Sequence, residues 1–211
     1  MSLVLVLRMG EINKRIEIIK NDPTAQKYFN IMTRGITRNF VNTILNELKD
    51  LEINSLLDVG CGTGYITNEF AKYFNFCVGC DLDMNRILLA RKYIGNHAPL
   101  IVANAVKLPF KDSSFDIVTA IEVVEHVIDI NSLLEEFSRV SRKYVLITVP
   151  NEPLFRIMNF LRGKNIKRFG DPEDHVHHFN KKTLEKLLSN YYSRVNVSIN
   201  SYFWLMAICY L

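Results

Sequence analysis

Apolar residues along the chain fall into two alternating patterns. Short, almost unbroken apolar runs predict strands near 55–60, 76–81, 99–103, 115–121 and 143–149. Between them lie segments with helical spacing, near 64–74, 84–94 and 131–140. Ser132 and Glu135 are spaced as a capping box for the last of these. Upstream, Ile36, Phe40, Val41, Ile44, Leu45 and Leu48 recur at helical spacing and predict an amphipathic helix over 35–49. Residues 11–31 read as one or two short helices, broken at Asp22-Pro23. Strand–helix alternation of this kind predicts an α/β domain whose parallel sheet is covered on both faces. Residues 150–180 break the pattern. A stretch of that length without a clear element is unusual in a compact domain and often functional. Leu184, Leu187 and Leu188 then mark a helix. Arg194–Ile199 and Tyr202–Cys209 read as two strands joined at Asn200-Ser201. No internal repeat is visible.

Composition narrows this picture only a little. The 211 residues suffice for one sizeable domain with its own core. A net charge of +4 is too mild to imply nucleic acid by itself. The cysteines at 61, 77, 80 and 209 include a C-x-x-C pair, Cys77 and Cys80, inside a predicted strand. Neither a second pair nor a His partner stands at a zinc spacing, so the thiols read as core residues of a protein in a reducing compartment, the cytoplasm. Leu3–Leu7 is too short for a leader and has no preceding basic region, and Tyr202–Leu211 is too short to span a bilayer.

The chemistry concentrates in Leu56-Leu57-Asp58-Val59-Gly60-Cys61-Gly62-Thr63-Gly64-Tyr65. An apolar run ends in an acid, and glycines follow at alternate positions. Asp81 comes 17 residues after the last of them, at the end of the run Phe76–Cys80. A strand, a glycine turn, a helix and a second strand ending in an acid present a nucleoside site, with Asp81 placed for ribose hydroxyls. The spacing disfavours a nicotinamide dinucleotide, because the position that fingerprint gives to its third glycine is Tyr65 here. Asp58 would also repel a pyrophosphate. It suits a cofactor carrying an ammonium and a sulfonium, such as S-adenosylmethionine.

With these motifs the chain resembles the class I S-adenosylmethionine-dependent methyltransferases, in particular the methyltransferase type 11-like group and its ubiquinone-type O-methyltransferase branch. Asp58–Tyr65 is similar to the family's glycine motif, and Gly79-Cys80-Asp81-Leu82 to its ribose-binding segment. Ala103-Asn104-Ala105 stands where the family grips adenine, with Asn104 in place of the usual Asp. Leu108–Val118 and Glu122-Val123-Val124-Glu125-His126-Val127 are similar to the run into the fourth strand and the segment after it. The resemblance implies a Rossmann-like fold with a seven-stranded, mostly parallel sheet in the order 3-2-1-4-5-7-6, an antiparallel last strand and helices on both faces. It implies one domain over 1–211, with a helical cap at 1–50 and a lid at 150–180. The cofactor would be S-adenosyl-L-methionine, held by Asp58, Gly60, Cys61, Gly62, Gly64, Asp81, Leu82, Asn104, Ala105 and Glu122, the last near the methionine ammonium or merely a solvated loop acid. The implied function is methyl transfer to an oxygen, nitrogen or carbon nucleophile of a small-molecule or lipid-like acceptor. An RNA methyltransferase and a non-catalytic cofactor-binding partner subunit are the rivals.

Methyl transfer from a sulfonium asks mainly for alignment, and a base is needed only when the nucleophile arrives protonated. His126 is the first candidate base, although it also suits packing against the cofactor or capping a helix. His178, in Asp174-His175-Val176-His177-His178-Phe179, is the second, in a segment that suits a pocket wall or a hinge of the lid. No metal is expected there, since no sulfur ligand lies nearby in sequence. Pro153–Phe169 mixes Leu154, Phe155, Ile157, Met158, Phe160 and Leu161 with Arg156, Arg162, Lys164, Lys167 and Arg168 and holds no acid. Such a stretch suits a lid helix with a basic edge, or peripheral contact with an anionic membrane, better than it suits nucleic acid. Nothing in the sequence sets the oligomeric state.

Overall fold

The structure, a computed structural model, describes residues 15–22, 25–31, 33–163 and 165–211. The run Leu3–Leu7, Pro23 and Lys164 lie outside the described residues. In chain order the elements are α1 (15–19 of the described chain), α2 (Gln26–Phe29), α3 (Arg34–Lys49), β1 (Ser55–Val59), α4 (Tyr65–Phe70), β2 (Phe76–Asp81) and α5 (Met84–Ile94). There follow β3 (Leu100–Val102), β4 (Phe115–Ile121), α6 (Ile130–Val140), β5 (Ser141–Pro150), α7 (Leu154–Leu161), α8 (Lys181–Leu188), β6 (Arg194–Asn200) and β7 (Trp204–Tyr210).

The strands form one seven-stranded sheet in the order β3-β2-β1-β4-β5-β7-β6. β7 pairs antiparallel with both β5 and β6, and the other pairings are parallel. Side chains alternate across the pleat. Leu57, Val78, Val118, Val145 and Leu205 face one core, packed with Leu133, Phe137, Leu184 and Leu188 of α6 and α8. Leu56, Cys77, Ile117, Leu146 and Met206 face the other, packed with Phe40, Ile44 and Leu48 of α3 and with Phe70 of α4. The same alternation puts Cys77 and Cys80 in different cores, so their C-x-x-C spacing creates no shared ligand site.

Three local expectations need correction. The α6 cap is Asp129, whose carboxylate accepts the Ser132 N–H at 3.1 Å and the Ser132 hydroxyl at 2.6 Å, so Ser132 lies inside the helix as a donor. On α3 the apolar face includes buried Thr37 in place of Ile36, because the Thr37 hydroxyl reaches the Lys27 carbonyl at 3.0 Å and Ile36 turns outward. The stretch 150–180 is not free of elements: α7 and a short 3-10 turn, Ile166–Arg168, occupy it.

The sheet order reverses at β1, which has β2 on one side and β4 on the other. A crevice opens at the carboxyl ends of these strands, the usual ligand position in open α/β sheets.

Candidate functional site

The loop after β1 turns back with Gly60 at φ +72, Gly62 at φ +54 and Gly64 at φ +80. A Cβ on Gly60 would lie 2.4 Å from Val123 Cγ2, so the residue must be glycine on steric as well as conformational grounds. Gly64 starts α4, and a Cβ there would meet Ile94 Cδ1 at 2.6 Å. Its work is to let α4 approach α5.

Asp58 is 2% exposed near the end of β1. Its carboxylate accepts the Thr67 hydroxyl at 2.5 Å and the Thr119 hydroxyl at 3.1 Å. Burial pushes its pKa up to about 7, against those two hydrogen bonds and with help from the charge of Asp81. Asp81 ends β2. One oxygen accepts the Gly62 N–H at 2.8 Å and the other the Asp83 N–H at 2.9 Å, so the carboxylate is locked beside the glycine loop. Cys61 is half-buried in that loop, and burial pushes its thiol pKa far up. The Asn104 side-chain carbonyl accepts the Val106 N–H at 3.1 Å in a local turn. An adenine amino group would have to share that oxygen.

Glu122 has φ +58 and follows β4. Its carboxylate pairs with Lys27 and accepts the Trp204 indole N–H. Burial opposes the Lys27 charge, but Glu122 outweighs it and holds the ammonium pKa above its usual range. Tyr28 stacks on Tyr65 with ring centroids 4.1 Å apart, closing one wall.

Together these groups line a cavity of about 880 Å³. Asp58, Gly60, Cys61, Gly62, Asp81, Leu82, Asn104, Ala105, Glu122 and His126 all border it, and Gly64 does not. His178 is not brought there either. Its Nε2 lies 2.7 Å from the Asp171 carboxylate, and the residue is absent from the lining. Lys27, Tyr28, Phe155 and Asp174 line the cavity and were not expected from sequence. Lys27 and Glu122 stand 95 positions apart, and nothing in either local pattern links them.

Glu125, next to His126, is 1% exposed, and neither of its carboxylate oxygens has a side-chain hydrogen-bond partner among the described residues. Burial, then the Glu122 charge, raises its pKa well above the usual range, which favours the neutral acid unless a cation faces it. A second cavity, of about 440 Å³, shares Lys27, Glu122 and Phe155 with the first and is otherwise lined by apolar residues such as Met158, Phe203 and Trp204 and by polar ones such as Asn30, Thr33, Asn159 and Arg162.

Residues 57–147 match the family described as "Methyltransferase domain". The chain is 35% identical over 94 residues to a demethylmenaquinone methyltransferase of Corynebacterium efficiens, covering 44% of this chain and 40% of that protein. It is 32% identical over 145 residues to the enzyme of the same name from Roseiflexus castenholzii, covering 64% of this chain and 60% of that protein. The chain thus spans roughly half the length of these relatives. Among solved structures it resembles magnesium protoporphyrin IX methyltransferase from Synechocystis, determined with bound SAH, with a TM-score of 0.65 and 13% identity over 94% of this chain and 99% of that one.

Proposed function

We propose that the chain is a class I S-adenosylmethionine-dependent methyltransferase that transfers methyl groups to a small, apolar or amphipathic acceptor, a reading supported by the match of residues 57–147 to the methyltransferase-domain family. One observation carries the reading. Asp58 and Asp81, at the ends of neighbouring strands, both face one cavity on either side of the glycine turn. That arrangement suits a nucleoside with a cationic amino-acid tail. A steric cradle supports it, since any side chain at Gly60 would fill the approach.

S-adenosylmethionine, when bound, supplies an electrophilic methyl on a sulfonium whose leaving group is a neutral thioether. The residues of the chain supply orientation and exclude water. Asp81 accepts from ribose hydroxyls, and Asn104 and Ala105 border the adenine end. Asp58 faces the ammonium, and Tyr28 of α2, stacked on Tyr65 of α4, covers the site. The second cavity, reached past Phe155, takes the body of the acceptor. Its lining mixes Ile36, Met158, Phe203 and Trp204 with Asn159 and Arg162, which supports an amphipathic one. Residues 150–180 act as the lid of a single domain, with α7 supplying Phe155 and Met158. Four free thiols, three of them buried, fit a reducing compartment such as the cytoplasm. Among the described residues no helix is long and apolar enough to cross a membrane.

Isothermal titration of the full chain with S-adenosylmethionine, S-adenosylhomocysteine and NAD tests the reading. Micromolar binding of the two sulfur ligands and far weaker binding of NAD is expected. Tight NAD binding with no response to either sulfur ligand would overturn it.

A further inference from the structure

We propose that the second cavity takes an acceptor with a carboxylate remote from its methylated atom, and that Arg162 holds this carboxylate and so selects the acceptor. The proposal rests on the reading of that cavity as the acceptor site. Phe155, Met158 and Asn159 of α7 and Arg162 at its C-cap all line the cavity. Their spacing, i, i+3, i+4 and i+7, puts them on one helical face. Phe155, at the start of the face, also borders the cofactor cavity, whereas Arg162 does not. Arg162 stands about 10 Å farther along the axis, at about 1.5 Å of rise per residue. The face therefore runs from the edge of the cofactor cavity, past Met158, to a cation.

Charge distinguishes the two ends. The lining holds two cations, Lys27 and Arg162, against one acid, Glu122. Lys27 pairs with Glu122 at the end shared with the cofactor cavity. Among the described residues no acid pairs with Arg162. Asp171, the acid nearest to it in sequence, is taken by Arg168 and His178. The guanidinium is not needed to close the helix either, because the Arg162 backbone N–H donates to the Met158 carbonyl at 3.1 Å. The cavity thus carries one uncompensated positive charge, at the end away from the cofactor.

A carboxylate answers that charge. The planar fork of a guanidinium matches its two oxygens with parallel N–H···O bonds. A monocarboxylate also balances a single positive charge, whereas a phosphate monoester, at about −1.5 to −2, exceeds it. An acceptor body lying on Met158, Phe203 and Trp204 brings the carboxylate to Arg162 while its other end reaches Phe155. Asn159 keeps this face in place. It is 8% exposed, and its Nδ2 donates to the Gly170 carbonyl at 3.1 Å, which ties α7 to the far part of the segment. Held so far from the cofactor, the carboxylate is a recognition group and not the nucleophile.

The test uses the full chain, with and without S-adenosylhomocysteine. Isothermal titration compares para-hydroxycinnamate and ω-hydroxyoctanoate with their methyl esters and with ω-hydroxyoctyl phosphate. At least one acid should bind about tenfold or more tightly than its ester. Arg162→Gln should remove that preference, and Arg162→Lys should restore part of it. Arg162 is exposed, so both variants are expected to fold, and unchanged S-adenosylhomocysteine affinity reports that they do. Binding of neither acid, equal binding of acid and ester, or a preference that survives Arg162→Gln overturns the proposal. A phosphate bound more tightly than either acid overturns the carboxylate. Arg162-dependent binding of an acid by a chain that does not bind S-adenosylhomocysteine overturns the methyltransferase reading and leaves the carboxylate subsite standing.

Discussion

Asp58 has both a buried carboxylate and a place on the cofactor cavity, and the two conflict in the free protein. Burial raises its pKa to about 7, whereas an unfolded chain ionises the same group near about 4. Between these values the native state holds a proton that the unfolded state has lost. The contribution of Asp58 to stability is therefore fully present below pH about 4 and is lost as pH rises towards about 7, by up to about 1.4 kcal/mol per pH unit, opposite in sign to the contribution of acids such as Asp116 and Asp171 whose pKa is lowered. Urea midpoints across pH 4–8 check this, and Asp58→Asn should flatten the profile relative to the unaltered chain. Parallel profiles would mean that Asp58 titrates normally. The Asp81 carboxylate accepts the Gly62 and Asp83 amides beside the glycine loop. On the proposed reading, removing it takes away the ribose acceptor along with both of these bonds. Hydrogen bonds to a charged group are worth about 1.5–3 kcal/mol each, so Asp81→Ala should weaken S-adenosylhomocysteine about ten- to a hundredfold in titration. These two acids were legible in the sequence because the motif that carries them is contiguous with its strand. Lys27 and Asp174 were not, since chain folding alone brings them to the cavity.

Elements were legible where one periodicity ruled. The strands of the parallel sheet read as apolar runs because both of their faces are covered, and α3 read as a stripe because only one face is. α7 was read only as one of several uses of 153–169, and its bounds were not given, because the helix is two turns long and has no cap of the common type. Pro153 precedes it and makes no side-chain cap bond. The α6 cap was placed three residues late because Ser132 and Glu135 imitate a capping box, while Asp129 holds the true N-cap geometry. Asp83 caps α5 in the same way, accepting the N–H groups of Asn85 and Arg86. Asp83→Ala should thus lower stability by about 0.5–2 kcal/mol in denaturant unfolding while leaving cofactor affinity nearly unchanged. A loss of affinity equal to that of Asp81→Ala would mean that the ribose acid is misassigned. The segment 150–180, the proposed lid, is tied at its base by the Glu152 N–H to the Phe179 carbonyl and by His177 Nε2, 3.0 Å from the Val127 carbonyl. Its α7 portion contributes Phe155 to both cavities. Amide exchange in 153–169 should therefore slow when S-adenosylhomocysteine and an acceptor are bound, with little change in β4 or β5. Equal exchange with and without ligands would make the segment a fixed part of the wall.

At the scale of the molecule, the sheet order followed from the resemblance and is what the structure has. Which surface meets the acceptor did not follow, because it depends on where α7 and its neighbours point. Ile157, Phe160, Leu161, Ile166 and Phe169 are all exposed, and Phe160 and Phe169 stack at 6.1 Å. Arg162, Lys167 and Arg168 border them, and no acid occurs in 153–169. Arg168 is partly drawn inward, 3.6 Å from Asp171. An apolar cluster with a cationic edge suits the interface of an anionic membrane, where both parts gain, better than it suits a polynucleotide, which would use the charge and leave the apolar surface in water. The two occupants differ in their response to salt. Binding to single-stranded RNA through several phosphates should fall with a slope of about −0.7 per contact in log affinity against log salt. Binding to vesicles through buried apolar side chains should fall much less. Co-sedimentation with phosphatidylglycerol-containing vesicles and titration with bulk RNA, both from low to high salt, separate these cases. The expected outcome is vesicle binding that persists at high salt and is reduced by a combined Leu161→Ser and Phe169→Ser variant, with cofactor affinity retained. Tight, steeply salt-dependent RNA binding, together with methylation of that RNA, would replace the apolar acceptor with a polynucleotide and leave the cofactor site as described.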